Sequence, residues 1–534
     1  MEFLNPAFTR VPSGFLRRKD FGSDFIFGSA TSAFQVEGGM REDGRGPSIW
    51  DSFAEKRNLF APYSEDAINH HKNYEEDVKL MKEIGFDAYR FSISWTRILP
   101  TGKKESRNQK GIDFYKKLLK NLKIKGIEPY VTLLHFDPPQ NLEDKYYGFL
   151  NRQIADDFCD YADICFKEFG NDVKHWITIN EPWSFAYGGY FTGNLAPGYH
   201  AQTDKIAPHQ STKIPNDDDD DAHHKSSIFP PSRFSLPPSS SSASETPAII
   251  PAKKLPYPDV NKYPYLVAHH QILAHAKAVK LYRQNYQRTQ KGKIGIVLVS
   301  QWYISLDDDP DNKEATQRAN DFMLGWFLDP IFSGDYPASM RKYVTKGYLP
   351  EFSSADKEMI KGSFDFLGLN YYTARYVTYE ETGGGNYVLD QRARFHVKRK
   401  GKLIGDEKGA SGWIYGYPRG MLDLLVYMKE KYNKPTIYIT ETGIDDPDDD
   451  SSTHWKSFYD QDRIMFYHDH LSYIKQAMRK GVNVKGFFAW SLMDNFEWDV
   501  GFKSRFGITY IDFEDGSKRC PKLSASWFKY FLEN

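Results

Sequence analysis

The stretch VKHWITINEPW, Val173–Trp183, decides how the rest of the chain is read. Its first half is apolar and β-branched between charges, the pattern of a short buried strand. Asn180 and Glu181 follow without a gap, and Pro182 then ends the ladder because it has no N–H to give. A carboxylate at the tip of a buried strand is costly unless it is paired or takes part in chemistry. PTIYITETG, Pro435–Gly443, repeats the layout: a strand ending in Glu441 before Gly443 turns the chain. Among 71 acidic residues, one such glutamate is ordinarily a rim charge or a helix cap. Two with matching layout predict paired carboxylates across one pocket. Glycoside hydrolysis requires that pair: one acid protonates the leaving oxygen, and the other attacks or activates water.

Outward from these two stretches the same punctuation recurs. Phe25–Phe34 reads as a strand delivering Gln35, Ala88–Trp95 as one carrying Arg90, and Ile127–His135 as one ending at His135. Lys293–Gln301, Phe364–Tyr372 (with Asn370 and Tyr372 at its tip) and Val484–Leu492 (with Trp490) are further strands. Helical spacing falls between them, at Tyr74–Ile84, Ile112–Lys125, 152–170, His269–Gln284, Ala315–Leu328, Gly420–Lys431 and His468–Arg479, with Gly85 and Gly126 as stops. Eight strands alternating with helices predict an α/β fold with a parallel sheet, and that number favours a (β/α)8 TIM barrel over a doubly wound open sheet. A barrel explains the polar tips, since active sites of this architecture lie at the C-terminal ends of the strands. Singly, His135 reads as a core histidine, Arg90 as a buried salt bridge and Trp490 as packing. Together they read as one pocket.

A length prior suggests about three domains for 534 residues, but barrels run long as one. We therefore expect an N-terminal arm over 1–20 and a single barrel domain over 21–534. Residues 201–260 break the rhythm after strand four: Asn216–Asp221 is NDDDDD, Ser239–Ser242 is a serine run, and prolines recur. Such a low-complexity insertion buries too little apolar surface to order itself, and reads as a disordered-looking surface loop or a lid at the pocket mouth. The aspartate run lacks the glycine and closing glutamate of a calcium loop. The pairs His70–His71, His223–His224 and His269–His270 lack partners at metal-ligand spacing. No metal and no cofactor is expected.

The formal net charge of −1 provides no field for nucleic acid or an anionic membrane, and no segment is apolar enough to span a bilayer. Cys159, Cys165 and Cys520 are too few for a disulfide framework. The N-terminus lacks a secretory apolar core, no Asn-x-Ser/Thr acceptor occurs, and WFKYFLEN carries no retention signal. These features predict an intracellular, cytoplasmic protein.

Four motifs carry a resemblance. TINEP at Thr178–Pro182, YITETG at Tyr438–Gly443, YRFSISW at Tyr89–Trp95 and AWSLMDNFEW at Ala489–Trp498 resemble those of family 1 glycoside hydrolases. The similarity to the plant β-glucosidases runs from about Phe21 to Tyr530, apart from the insertion, and is strongest to enzymes acting on alkaloid and iridoid glucosides. It implies Glu181 as general acid/base and Glu441 as nucleophile, with retention through a covalent glucosyl-enzyme. Arg90 and Tyr372 would contact Glu441, keeping it ionised and aimed, whereas Glu181 must begin protonated. Gln35, His135, Asn180, Trp490 and Glu497 match sugar-binding positions, with Asn180 on the 2-hydroxyl. Trp490 and Trp498 would form an aromatic floor and flank, and Trp413 would stack on the aglycone. Asn370 and Phe506 complete the substrate-binding set. Three departures stand out. Phe136 replaces the tryptophan of a His-Trp-Asp motif, Thr442 replaces an asparagine, as in some alkaloid glucosidases, and the loop from Asn194 to Gln202 lacks the cysteine pair of secreted members.

The expected function is therefore retaining β-glucosidase action on a hydrophobic plant glucoside, a small-molecule substrate, with homo-oligomerisation left open. Transglucosylation through the same intermediate is the nearest alternative. A non-hydrolytic sugar-binding protein on the same barrel is the alternative of another class, and retention of both glutamates speaks against it. The loops around Trp183, Trp413 and the insertion are expected to set the aglycone.

Overall fold

A computed structural model describes residues 16–200, 256–409, 411–447 and 457–533. Eight strands close into a barrel: β1 Ile26–Ala30, β2 Ala88–Ser92, β3 Glu128–Leu134, β4 His175–Asn180, β5 Lys293–Val299, β6 Phe366–Asn370, β7 Ile437–Glu441 and β8 Val484–Trp490. Each pairs in parallel with its sequence neighbours, and β8 closes on β1 with Ala30 level with Trp490. Closure removes both sheet edges, so the doubly wound alternative falls away. Strands buried on both faces explain why their sequences are continuous apolar runs. In the lower half of the barrel aromatic rings fill the bore: Tyr130 stacks on His175 at 4.1 Å and meets Phe488 edge-on at 4.9 Å.

The outer layer holds α1 His70–Ile84, α2 Gln109–Lys125, α3 Ile154–Phe169, α4 Pro182–Tyr190, α5 Tyr263–Asn285, α6 Pro310–Asn320, α7 Trp326–Ser333, α8 Pro418–Lys431, α9 Gln461–Arg479 and α10 Leu523–Glu533. Gly85 (φ 95°) and Gly126 (φ 68°) close α1 and α2 in the left-handed conformation, as their sequence positions predict. Two expected elements differ. β1 stops at Ala30, and Gln35 lies on a helical turn, Ala33–Val36, whose first N–H is taken by Ser92 Oγ at 2.7 Å. The expected helix Ala315–Leu328 is α6, a π-helical turn at Asp321–Gly325, and α7.

Residues 201–255 of the insertion and 1–15 of the arm lie outside the described residues. Residues 16–20 of that arm are docked: Arg18 pairs with Asp87 at 2.8 Å, and Asp20 with Lys475 at 3.0 Å. Among the described residues, no helix is long and apolar enough to cross a membrane. Cys159, Cys165 and Cys520 are free thiols.

The segment after β8, which carries Glu497 and Trp498, is anchored by a buried charge cluster. Asp494 lies between Arg505 and Lys522, each 2.9 Å away, and also accepts from Gly507 N at 3.0 Å. All three side chains are excluded from water. Removing one member of such a set leaves buried charge uncompensated, which costs about 3–5 kcal/mol. Asp494→Ala is therefore expected to lower stability by about that amount, read as a shifted urea midpoint; an unchanged midpoint would contradict the anchoring role.

Candidate active site

Glu181 follows the last residue of β4 and Glu441 is the last of β7. Both strands shift register just before their glutamate, β4 against β5 between Ile177 and Asn180, and β7 against β6 between Ile439 and Glu441. Such irregularities re-aim side chains, and here they precede both carboxylates. Glu181 itself adopts a left-handed backbone (φ 41°), immediately before Pro182 opens α4. Ser184 Oγ, on the first turn of that helix, donates to Glu181 Oε2 at 2.6 Å, and Asn370 Nδ2 donates to Oε1 at 2.6 Å.

Glu441 is held differently. Arg90 Nη1 donates to its Oε1 at 2.5 Å and Tyr372 Oη to its Oε2 at 2.8 Å. Arg90 also reaches Asn180 Oδ1 through Nη2 at 2.6 Å, while Asn180 Nδ2 donates to His135 Nε2 at 3.1 Å. Asn370 closes the circuit, donating to Asn180 Oδ1 at 3.3 Å and accepting from Thr440 Oγ1 at 2.7 Å. One connected network therefore runs from one carboxylate to the other.

Glu181 and Glu441 line a single cavity enclosing ≈ 1150 Å³ of empty space counted out to its mouth. His135, Asn180, Tyr372, Trp413, Trp490, Glu497, Trp498 and Phe506 line it with them. Gln35, Arg90 and Asn370 stand behind the wall and act through the residues they touch. Gln35 Nε2 donates to Phe496 O at 2.9 Å and to Glu497 Oε2 at 3.4 Å. The His135 ring lies within 16° of parallel to Trp490 and to Trp498, 5.9 Å from each. Phe136, at the departure from the tryptophan motif, also lines the cavity and packs on Trp498 at 5.0 Å. Phe136 (φ 70°), Glu181 (φ 41°) and Trp498 (φ 47°) are all left-handed. That backbone is strained for bulky residues and concentrates where a site demands a particular direction.

Trp413 is set from behind by Arg375, whose Nη2 donates to Trp413 O and whose Nη1 donates to Thr373 Oγ1, both at 2.8 Å. Trp183 is buried in the core, its Nε1 donating to Tyr387 Oη at 2.7 Å. α4 turns it away from the cavity and presents Ser184 and Tyr187. Sequence reasoning missed Ser184, although its place three residues after Glu181 on a proline-started helix was a usable signal. Met323 reaches the cavity from the π-helical turn, Asp499 from a short 3-10 helix at Trp498–Lys503, and Asn194 and Gln301 from loops; no periodicity marks any of these.

The glycosyl hydrolase family 1 model matches residues 17–227 and 242–534. The chain belongs to glycosyl hydrolase family 1. It is 46% identical to β-glucosidase 24 of Oryza sativa subsp. japonica over 526 residues, 97% of this chain and 95% of that protein. Raucaffricine-O-β-D-glucosidase of Rauvolfia serpentina is 45% identical over 522 residues, 96% of this chain and 91% of that protein. A mutant rice β-glucosidase, solved in a covalent complex with Glc, superposes with a TM-score of 0.84 at 40% identity, covering 97% of this chain and all of that one. The gap in the family match, 228–241, falls inside the low-complexity insertion.

In this glycosyl hydrolase the carboxyls facing the cavity differ in their tuning. Burial, then the negative charge of Glu441, pushes the Glu181 carboxyl up to about 7, against the pull of Ser184, Asn370 and Arg90. Burial and the neighbouring carboxyls of Asp445 and Asp499 hold Glu497 well above the ordinary range. Burial and the Arg90 guanidinium hold His135 well below its usual value, so its ring is neutral at pH 7. Replacing Glu441 by glutamine removes one of the two upward influences on Glu181. Glu441→Gln is expected to move the Glu181 transition below about 7 while burial keeps it above the usual glutamate value, in a carbon-13 titration of labelled glutamate. An unmoved transition would show that the two groups do not feel each other.

Proposed function

We propose that this family 1 hydrolase is a retaining β-glucosidase acting on the glucoside of a hydrophobic plant metabolite, alkaloid or iridoid in type. The observation that carries the reading is the opposite treatment of two carboxyls in one cavity. Glu181 is buried and its carboxyl is pushed up to about 7, whereas Glu441 accepts hydrogen bonds from a guanidinium and a phenol. Glu441 attacks the anomeric carbon while Glu181 delivers its proton to the departing aglycone oxygen. Glu181, now a base, takes a proton from water, and that water releases glucose from Glu441. Two displacements restore the starting configuration. The covalent Glc complex of the rice relative supports such an intermediate.

Around the ring, Asn180 takes the 2-hydroxyl, held in place by Arg90 and His135. His135, Gln35 and Glu497 serve the remaining hydroxyls, Gln35 through its contact with Glu497. Trp490 and Trp498 give the sugar its apolar face, and Trp413 and Phe506 stand where the aglycone leaves. The likeness to raucaffricine glucosidase supports the substrate class, as does Thr442 beside the nucleophile.

Glu441→Ala is expected to abolish turnover, with azide restoring part of it as a glucosyl azide; retained wild-type turnover would refute the nucleophile assignment. Glu181→Gln should slow glucosides with poor leaving groups by about 10²–10⁴-fold and activated aryl glucosides far less, because only the former need a proton. Equal losses would count against the acid role. In the wild type, rates should fall as pH rises through about 7, where Glu181 gives up the proton it must deliver. Proton NMR of the first product should show β-glucose; α-glucose would refute retention.

A further inference from the structure

The cavity is one-sided in charge. Four carboxyl side chains line it, those of Glu181, Glu441, Glu497 and Asp499, and no lysine or arginine is among its lining residues. Three of the four have places in the proposed chemistry. Asp499 has none. It follows Trp498 in the chain, beyond the aromatic wall of the sugar pocket. Asn180 and Glu441 at the closed end are 1% and 4% exposed, whereas Asp499, Val500, Asn194 and Leu195 are all partly exposed. Asp499 therefore lies toward the mouth, where the leaving group of a bound glycoside must sit.

Its surroundings give it no ion pair in contact. Asn194 Nδ2 donates to Asp499 Oδ2 at 3.4 Å, a long contact, and no salt bridge to Asp499 occurs among the described residues. Arg57 pulls on the carboxyl through its charge but forms no salt bridge with it: its Nη2 donates to Gly193 O at 2.9 Å and its guanidinium lies over the Phe53 ring at 4.2 Å. Burial holds the Asp499 carboxyl above the usual aspartate range, and a cation entering the cavity would relieve that cost. Low-dielectric walls lined by one sign of charge also concentrate ligands of the other sign.

Resting on the β-glucosidase reading above, we propose that Asp499 selects glucosides whose aglycone carries a protonated amine and disfavours those whose aglycone is anionic. The amine nitrogen would donate a charge-assisted hydrogen bond to Asp499, with Asn194 steadying the carboxylate. A carboxylate or sulfate on the same aglycone would meet a cavity wall whose charged lining residues are all carboxyls.

Three matched aryl β-glucosides test this at pH 7 and low salt: 4-(aminomethyl)phenyl, 4-(hydroxymethyl)phenyl and 4-carboxyphenyl. In the wild type kcat/KM is expected to fall in that order, by at least about tenfold from amine to neutral, with the gap narrowing as salt screens the charge. Asp499→Asn should reduce the amine-to-neutral ratio by about tenfold, and Asp499→Lys should turn the preference toward the carboxylate. Turnover of all three without charge preference overturns the inference alone. So does a preference that Asp499→Asn leaves unmoved. Failure of all three glucosides to react would instead overturn the β-glucosidase reading, and this inference with it.

Discussion

A single buried guanidinium ties the top of the barrel together. Arg90 is 0% exposed, and its two terminal nitrogens bind Glu441 on β7 and Asn180 on β4. A charge taken that far from water is stable only with its partners in place. The pair therefore fixes three strands relative to one another at the level where the two carboxylates emerge. Asn180 passes the constraint on to Asn370 and His135, and Asn370 passes it to Glu181. The geometry of the pocket follows from that one ion pair and the hydrogen bonds that extend it through Asn180 and Asn370.

The two glutamates sit in the same dry cavity with different partners. Glu441 is gripped by Arg90 and Tyr372. With only neutral donors, Ser184 and Asn370, Glu181 yields to desolvation and to its neighbour's charge. Water admitted to the cavity would weaken the upward push on Glu181, because it depends on a low local dielectric. The stacked Trp490–His135–Trp498 wall gives that cavity an aromatic lining. Three left-handed non-glycine residues on the cavity surface show where backbone comfort gives way to side-chain direction.

Much of this was legible in the chain. Apolar runs ending in a polar residue marked each strand tip, because strands covered on both faces leave only their ends for chemistry. The glycines closing α1 and α2 read correctly, since a helix end needs a residue tolerant of positive φ. The reading went astray where local pattern and tertiary packing disagree. Phe25–Phe34 looks like one strand, but Ser92 captures the backbone at Ala33 and bends it into the turn that holds Gln35. Trp183, adjacent to the Glu181–Pro182 motif, is sent by helix phase into the core against Tyr387, a direction that no local pattern fixes. Ser184, two residues from Pro182, carried a helical signal that went unused.

By itself the sequence determined the barrel and the place of the two glutamates at its strand tips. Strand periodicity, proline and glycine stops, and uncompensated polar tips are local properties of the chain. Only the tertiary structure decided which polar groups meet. Arg90 and Glu441 stand 351 positions apart, and nothing local assigns them to each other. Asn194, Met323 and Asp499 were likewise invisible in the sequence, because loops and single helical turns show no sustained period and take their direction from the elements they pack upon.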